Sequence, residues 1–250
     1  MRSRYPSTST LAYSFGPGPL TPAIKAIVAA NVAAFLISLV APAITLTFGL
    51  RPADIFGSLR IWQPITYMFL HAGISHILFN MLALWMFGVE LERTWGSRYF
   101  VKYYFICGAG AAMTTVLLSF VPGTFGEQLY YSLTIGASGA VYGLLLAYAL
   151  YFPSRVILMF FVFPVPVRYA VAIMGAISLL LSMSGPGGGI AHTTHLGGLL
   201  VGYLYLKGGR IHLLSEIKYR YLKWRINRMR RRFDVYSGGR AEKNIDRRVH

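Results

Sequence analysis

Residues 136–152 read GASGAVYGLLLAYALYF. The stretch carries no charge, and its first half combines small residues with one serine, Ser138. An uncharged apolar run predicts a membrane helix, because lipid offers no partner for unpaired backbone groups, although this one is short where about 20 residues are usual. We therefore predict a membrane helix over residues 137–152, with Ser138 at its start.

The composition of the whole chain also favours a membrane over water as its surroundings. Of its 250 residues, 55% are hydrophobic and only 13% are charged, a balance that soluble domains of this length rarely have. The predicted fold class is an all-α membrane protein, a bundle of six transmembrane helices. Six apolar segments predict these helices, at residues 26–48, 69–89, 99–120, 137–152, 167–183 and 190–206. Residues 156–163 are also apolar, but the run is short and prolines close it, so we predict an interfacial loop.

Charge indicates the orientation. The net charge is +16, and 14 of the 24 Lys and Arg follow residue 206. With both termini inside, the inner segments carry 22 of the 24, and the outer loops carry only Arg51 and Arg60. The positive-inside rule therefore predicts cytoplasmic termini, and we place the chain in a prokaryotic cytoplasmic (inner) membrane.

Three regions follow from this topology. They are a flexible cytoplasmic tail at 1–25, a six-helix domain at 26–206 and a basic cytoplasmic tail at 207–250. We expect the basic run from Lys207 to Arg232 to fix topology and to hold anionic lipid headgroups, and not to bind nucleic acid.

Polar residues meet at one depth in this topology. His76 and Asn80 are four residues apart and share one face of the second helix. Ser138 begins the fourth helix, and His195 lies a little over one turn into the sixth. All three helices start at the outer face. Since polar residues are costly inside a membrane, the cluster predicts a functional site.

Glycines predict which of these helices touch. Small residues spaced by four, and glycines three and seven residues after His195, allow two helices to approach closely. Such packing can bring the Ser138 hydroxyl within reach of the His195 ring, as a nucleophile and its base require. The predicted helix-packing residues are Gly136, Gly139, Gly143, Gly198 and Gly202.

A Ser138–His195 dyad is the resulting hypothesis. The candidate oxyanion donors are the Ser138 backbone N–H, the His76 ring and the Asn80 amide. No Asp or Glu is positioned as a third member. Tyr142 lies one turn after Ser138, and its ring can stack on His195 and hold it.

Plainer interpretations stay open. A lone membrane serine usually packs or bonds its own helix, and His192 is a competing base. His76 and Asn80 can instead form an interhelical hydrogen-bonded pair. His71 points some 140° from His76 if both are helical, so it is expected to tie down a loop. Cys107, the single cysteine, excludes an intramolecular disulfide and is interpreted as packing.

These residues resemble the rhomboid family of intramembrane serine proteases over about residues 26–206. The matching motifs are His71-x4-His76-x3-Asn80, Gly136-x-Ser138-Gly139 and His195-Leu196-Gly197-Gly198, together with a similar stretch from Trp62 through Gly96. The resemblance implies a six-helix fold without metal or cofactor that hydrolyses transmembrane protein substrates. It also implies that Ser138 is the nucleophile, His195 the base, and His76, Asn80 and the Ser138 amide the oxyanion hole.

Two positions depart from the family pattern. Gln63 follows Trp62 where the family often has Arg, and Thr194 precedes His195 where it often has Ala. Two other function classes compete with a protease. One is a catalytically dead relative that binds transmembrane clients, although such relatives typically lack the serine or the histidine. The other is a transporter, which polar residues clustered at one face do not favour.

Overall fold

The computed structural model of this protein describes residues 16–159, 162–182 and 189–208, together with Lys223. The chain divides into two compact units, Met1–Lys207 and Gly208–His250. The predicted tails at 1–25 and 207–250 lie mostly outside the described residues, so these predictions stay untested.

The first unit is mostly helical, as predicted. In chain order its elements are α1 (Pro22–Val40), α2 (Ala43–Phe48), α3 (Pro52–Gly57), α4 (Gln63–Thr66), a 3₁₀ turn (Tyr67–Phe69), α5 (Ile74–Trp95), α6 (Ser97–Leu118), α7 (Thr124–Tyr131), α8 (Ser138–Tyr151), β1 (Val156–Met159), β2 (Phe163–Pro166) and α9 (Val167–Ser182), followed by α10 (Gly189–Gly208).

Three of these helices, α1, α5 and α6, are long and apolar enough to cross a membrane. Helices α8 and α9 are apolar but shorter, with 14 and 16 residues. Helix α10 has 20 residues. The fold is therefore that of a helical membrane protein, whereas the count of six spans stays a prediction.

The first predicted helix is wrong as a single element. Instead of one helix over 26–48, α1 begins at Pro22 and ends at Val40, and α2 starts again at Ala43. Proline disfavours the helical conformation of the residue before it, and Ala41, which precedes Pro42, has φ −132° and ψ 71°. The second predicted helix, 69–89, also begins later, at Ile74, because Gly73 is extended.

A two-stranded hairpin is the exception to the all-α prediction among the described residues. Strands β1 and β2 pair antiparallel where we predicted an interfacial loop at 156–163. The run is too short for a membrane helix, and prolines are tolerated on an edge strand, which β2 is.

Helix α8 lies at the centre of the bundle. It packs against α5, α6 and α9, and most of its residues are buried. Because α8 is surrounded by protein, its first turn, which begins at Ser138, is fixed by neighbours on several sides.

A carboxylate from α5 caps α1 over a long sequence distance. Glu92 is buried and accepts hydrogen bonds from the backbone N–H groups of Ala23 (2.9 Å) and Ile24 (3.1 Å). It also accepts hydrogen bonds from the hydroxyls of Thr21 and Ser97, the latter at 2.6 Å. The first N–H groups of a helix lack partners within it, so this cap stabilises a start at Pro22.

We expect Glu92→Gln to lower the free energy of unfolding by about 1–3 kcal/mol, because the new amide N–H would face donors in a buried site. Thermal unfolding in detergent, followed by circular dichroism, measures the change. Glu127→Gln is the matched control, since Glu127 is exposed on α7, and it should leave the melting temperature almost unchanged. Equal melting temperatures for both variants would contradict the capping role.

Candidate active site

Two side chains far apart in the sequence meet at the start of α8. The Ser138 Oγ lies 2.8 Å from the His195 Nε2 of α10, within hydrogen-bond distance. Ser138 is the first residue of α8, so its hydroxyl projects from the end of a helix. The contact is the geometry that lets an imidazole take a proton from a hydroxyl.

Glycines hold α8 and α10 together. A Cβ built on Gly198 would lie 1.9 Å from the carbonyl oxygen of Gly139, and one built on Gly202 would lie 3.2 Å from the Gly143 Cα. The order of the two contacts shows that the helices run parallel. Backbone therefore packs on backbone along a glycine seam, formed by Gly139 and Gly143 of α8 and by Gly198 and Gly202 of α10. The seam follows Ser138 and His195 directly in their helices.

An aromatic ring covers one face of the His195 imidazole. The Tyr142 ring stacks on it with centroids 4.2 Å apart and planes inclined by 7°. The Ser178 hydroxyl of α9 donates a hydrogen bond to the Tyr142 hydroxyl at 3.3 Å. Among the described residues, no group hydrogen-bonds His195 Nδ1. Among the described residues, the contact on the face of this imidazole is therefore an aromatic stack.

The His76 ring places its Nε2 atom next to Ser138. The backbone N–H of Ala72 donates to His76 Nδ1 at 3.3 Å. This bond assigns the proton of the neutral ring to Nε2, which makes Nε2 a donor. A Cβ on Gly136 would lie 2.7 Å from His76 Nε2 and 3.8 Å from Ser138 Oγ. His76 Nε2 and the serine hydroxyl thus flank the same glycine.

Gly136 differs from the prediction that it packs helices. It precedes α8, and its φ of +123° lies in the region that favours glycine. Its N–H donates to the Tyr67 carbonyl at 2.9 Å. Gly136 therefore leaves room for His76 beside Ser138, while the other four predicted glycines lie within α8 and α10.

Asn80 bonds within its own helix, which does not support the interhelical pair. Its amide Nδ2 donates to the His76 carbonyl at 2.9 Å. An amide nitrogen carries two N–H groups, so a second donor remains on Asn80.

The two other histidines of this region lie next to the site. His71 precedes α5, so the angle that holds if both histidines are helical does not apply, and its ring contacts the His76 ring edge-on with centroids 5.0 Å apart. His192 lies edge-on to His195 at 5.6 Å. The imidazole that contacts Ser138 is that of His195, not His192.

Sequence reasoning missed the residues that support the site. The Thr115 and Thr194 hydroxyls are buried and lie 2.9 Å apart, which ties α6 to α10 next to His195. Thr194 departs from the family pattern, and that departure was the available signal. Ser178 gave none, because an apolar helix with a serine is common in membranes.

Gln63, the other departure, is fully buried. Its Oε1 accepts from the Arg51 N–H at 3.0 Å, and its Nε2 donates to the Thr47 carbonyl at 3.4 Å. A neutral amide thus connects the end of α2 and the segment after it through backbone groups.

Packed apolar helices that bring a serine hydroxyl against an imidazole define this chain as a helical membrane protein with a part-buried Ser–His contact. Residues 58–209, more than half of the chain, match the family model of the Rhomboid domain. The chain belongs to the rhomboid family.

Several curated proteins are similar to it. Rhomboid protease AarA of Providencia stuartii is 29% identical over 151 residues, covering 57% of this chain and 54% of that protein. The mitochondrial Rhomboid protein 1 of Saccharomyces cerevisiae is 33% identical over 138 residues, covering 55% and 38%. Rhomboid protease GluP of Bacillus subtilis is 33% identical over 98 residues, covering 39% and 17%. The chain therefore spans about half the length of these relatives, or less.

The glycine seam makes a stability prediction. We expect Gly198→Ala to lower the free energy of unfolding by about 1–3 kcal/mol, because the added methyl group has no room against the Gly139 carbonyl. Gly57→Ala adds the same methyl group where no atom lies within 4 Å, and it should be neutral or stabilising. Thermal unfolding of both variants in detergent measures the difference. Equal effects would contradict close packing at Gly198.

Proposed function

We propose that this chain is an intramembrane serine endopeptidase, in which Ser138 is the nucleophile and His195 its base. The observation that carries the proposal is the 2.8 Å contact between Ser138 Oγ and His195 Nε2. Membership of the rhomboid family supports it, and so do relatives whose names contain "rhomboid protease".

The first step forms an acyl-enzyme. His195 Nε2 takes the hydroxyl proton as Ser138 Oγ bonds to the carbonyl carbon of the scissile peptide. The resulting tetrahedral intermediate collapses when the carbon–nitrogen bond breaks. The imidazolium then gives its proton to the departing amine, so the base returns to its neutral form.

The negative oxygen of that intermediate needs donors. His76 Nε2–H flanks Gly136 beside the serine, and Asn80 retains a second amide N–H. The Ser138 backbone N–H lies at the start of α8, where the helix dipole also favours negative charge. We assign these three groups to the oxyanion hole, because fixed donors in a site of low dielectric stabilise such a charge strongly.

The second step returns the free enzyme. A water molecule gives a proton to His195 Nε2 and attacks the ester carbonyl, and Ser138 Oγ leaves with the proton that His195 passes back. Tyr142 keeps the imidazole plane fixed through both steps, because its ring lies parallel to that of His195.

The membrane setting is part of the proposal. We infer that the protein spans the cytoplasmic (inner) membrane six times, with α8, α9 and α10 as the last three spans. Both termini then lie in the cytoplasm. The charge distribution supports this orientation, since the segments assigned to the inner side hold 22 of the 24 Lys and Arg. The substrates would be transmembrane segments of other proteins, and the basic tail would contact anionic lipid.

Labelling by a fluorophosphonate probe tests the nucleophile and the base together. Purified protein in lipid vesicles should react at Ser138 and cleave a single-span substrate. Ser138→Ala should abolish both reactions. His195→Asn should slow both by about 10²–10⁴-fold, because the proton acceptor is lost.

Two controls separate this role from general damage. Ser119→Ala removes another buried serine, which follows α6 and donates its hydroxyl to the Val116 carbonyl, and should keep full activity. His192→Asn should keep most activity, because His192 is the histidine that does not contact the serine. Loss with His192→Asn but not with His195→Asn would make His192 the base. A folded wild type that neither labels nor cleaves would be a client-binding relative.

Tyr142 provides a second prediction. Tyr142→Leu should slow labelling by up to about tenfold, since an aromatic stack is worth about 0.5–1.5 kcal/mol. Tyr142→Phe keeps the ring, removes only the hydroxyl that Ser178 contacts and should restore most of the rate. Equal melting temperatures would show that the rate effect is not unfolding. If both variants label at the wild-type rate, Tyr142 does not orient His195.

A further inference from the structure

The hairpin of β1 and β2 joins α8 to α9 at the end of α8 opposite Ser138. Its strands pair Val156 with Pro166 and Met159 with Phe163. No charged or hydrogen-bonding side chain occurs between residues 156 and 167. An element of this composition outside the bundle core needs an apolar surrounding.

Large apolar side chains of the hairpin point away from the protein. Val156, Leu158, Val162 and Phe163 are 60%, 55%, 66% and 59% exposed. Ile157 alternates with them and packs against the core cluster. One face of the hairpin therefore rests on the bundle, and the other is apolar and uncovered by described residues.

The prolines of β2 reduce the number of backbone hydrogen-bond donors on its outer edge. The Val167 N–H donates to the Arg155 carbonyl at 2.8 Å, so this pair is hydrogen-bonded. Pairs alternate along an antiparallel ladder, which places Pro166 and Pro164 at the positions whose N atoms point outward. Since proline has no N–H, this edge lacks outward donors there, which disfavours strand addition and lowers the cost of contact with lipid.

The lengths of the neighbouring helices place the hairpin within the depth of the membrane. At about 1.5 Å per residue, α8 and α9 reach about 21 and 24 Å, less than the hydrocarbon thickness of about 30 Å. The Arg155 guanidinium, at the base of the hairpin, pairs with Glu90 of α5 at 3.4 Å. Glu90 lies five residues before the end of α5, so α5 extends further in that direction than the end of α8.

Cations flank the apolar segment. Arg155 precedes it, and Arg168 follows it with its guanidinium 4.7 Å from the Tyr169 ring centroid. Arginines at the two ends of an apolar segment, one of them beside a tyrosine, are typical of a membrane–water boundary, where their polar ends reach the headgroups.

We propose that the hairpin inserts into the leaflet farther from Ser138, and that its exposed side chains contact acyl chains just below the headgroups. The hairpin lies in the interface and does not span the membrane, because a two-stranded sheet leaves backbone groups unpaired along its edges. The partner is thus the lipid leaflet itself.

Site-directed spin labelling tests this arrangement in the full chain. Cys107 is the single cysteine and is buried, so the unchanged protein should take up little label. Nitroxides at Leu158→Cys and Phe163→Cys are compared in vesicles of phosphatidylcholine and phosphatidylglycerol. Val32→Cys, exposed on α1, is the lipid reference, and Thr94→Cys, an exposed polar position near the end of α5, is the aqueous reference.

Power saturation with oxygen and with a water-soluble nickel chelate gives the result. We expect the ratio of oxygen to nickel accessibility at both hairpin positions to exceed that of Thr94→Cys several-fold and to approach that of Val32→Cys. A ratio like that of Thr94→Cys would overturn the proposal, because the hairpin would face water. Low accessibility to both reagents would also overturn it, since protein would then cover the hairpin. Neither readout depends on peptidase activity.

Discussion

Helices α8 and α10 can approach closely because glycines, which have no side chain, occupy the positions where the two helices touch. With Gly198 against the Gly139 carbonyl and Gly202 against Gly143, no methyl group fits between the backbones. The contact of Ser138 with His195 follows from that separation, because both residues lie at the same end of the seam. In lipid, where apolar burial gives little drive for helix association, such close packing is the main source of cohesion.

Contacts from several helices surround the His195 ring, and none of the described ones comes from a carboxylate. A histidine side chain has one torsion about its Cα–Cβ bond and one about its Cβ–Cγ bond, and packing can fix both. The Tyr142 ring covers one face of His195, and Ser178 of α9 holds the Tyr142 hydroxyl. The Thr115–Thr194 bond fixes the residue before His195. Three helices thus constrain one ring through contacts that add no charge to the membrane interior.

The sequence predicted much of this arrangement because its signals are local. Spacings within single helices placed His76 with Asn80, and they placed the glycines on the faces that carry Ser138 and His195. The roles of these residues in catalysis stay predictions. Long-range contacts left no local signal: Glu92 caps a helix 71 residues away, so the start of α1 at Pro22 was missed. The break at Pro42 was readable, but the apolar run around it concealed the change from α1 to α2.

Helix α8 has only 14 residues, and this length affects what lies at each of its two ends. Ser138 begins the helix, and His76 Nε2 lies beside it at Gly136, so these polar groups meet at one end of α8. Because Ser138 is the first residue of α8, its hydroxyl lies at the helix end and not among the apolar residues further along, where an unpaired polar group would be costly. The opposite end then stops short of the end of α5, and the chain continues as an apolar hairpin whose proline-bearing edge has few donors to desolvate. A helix of 14 residues that begins at Ser138 therefore leaves the distance beyond its other end to an apolar, non-helical connection.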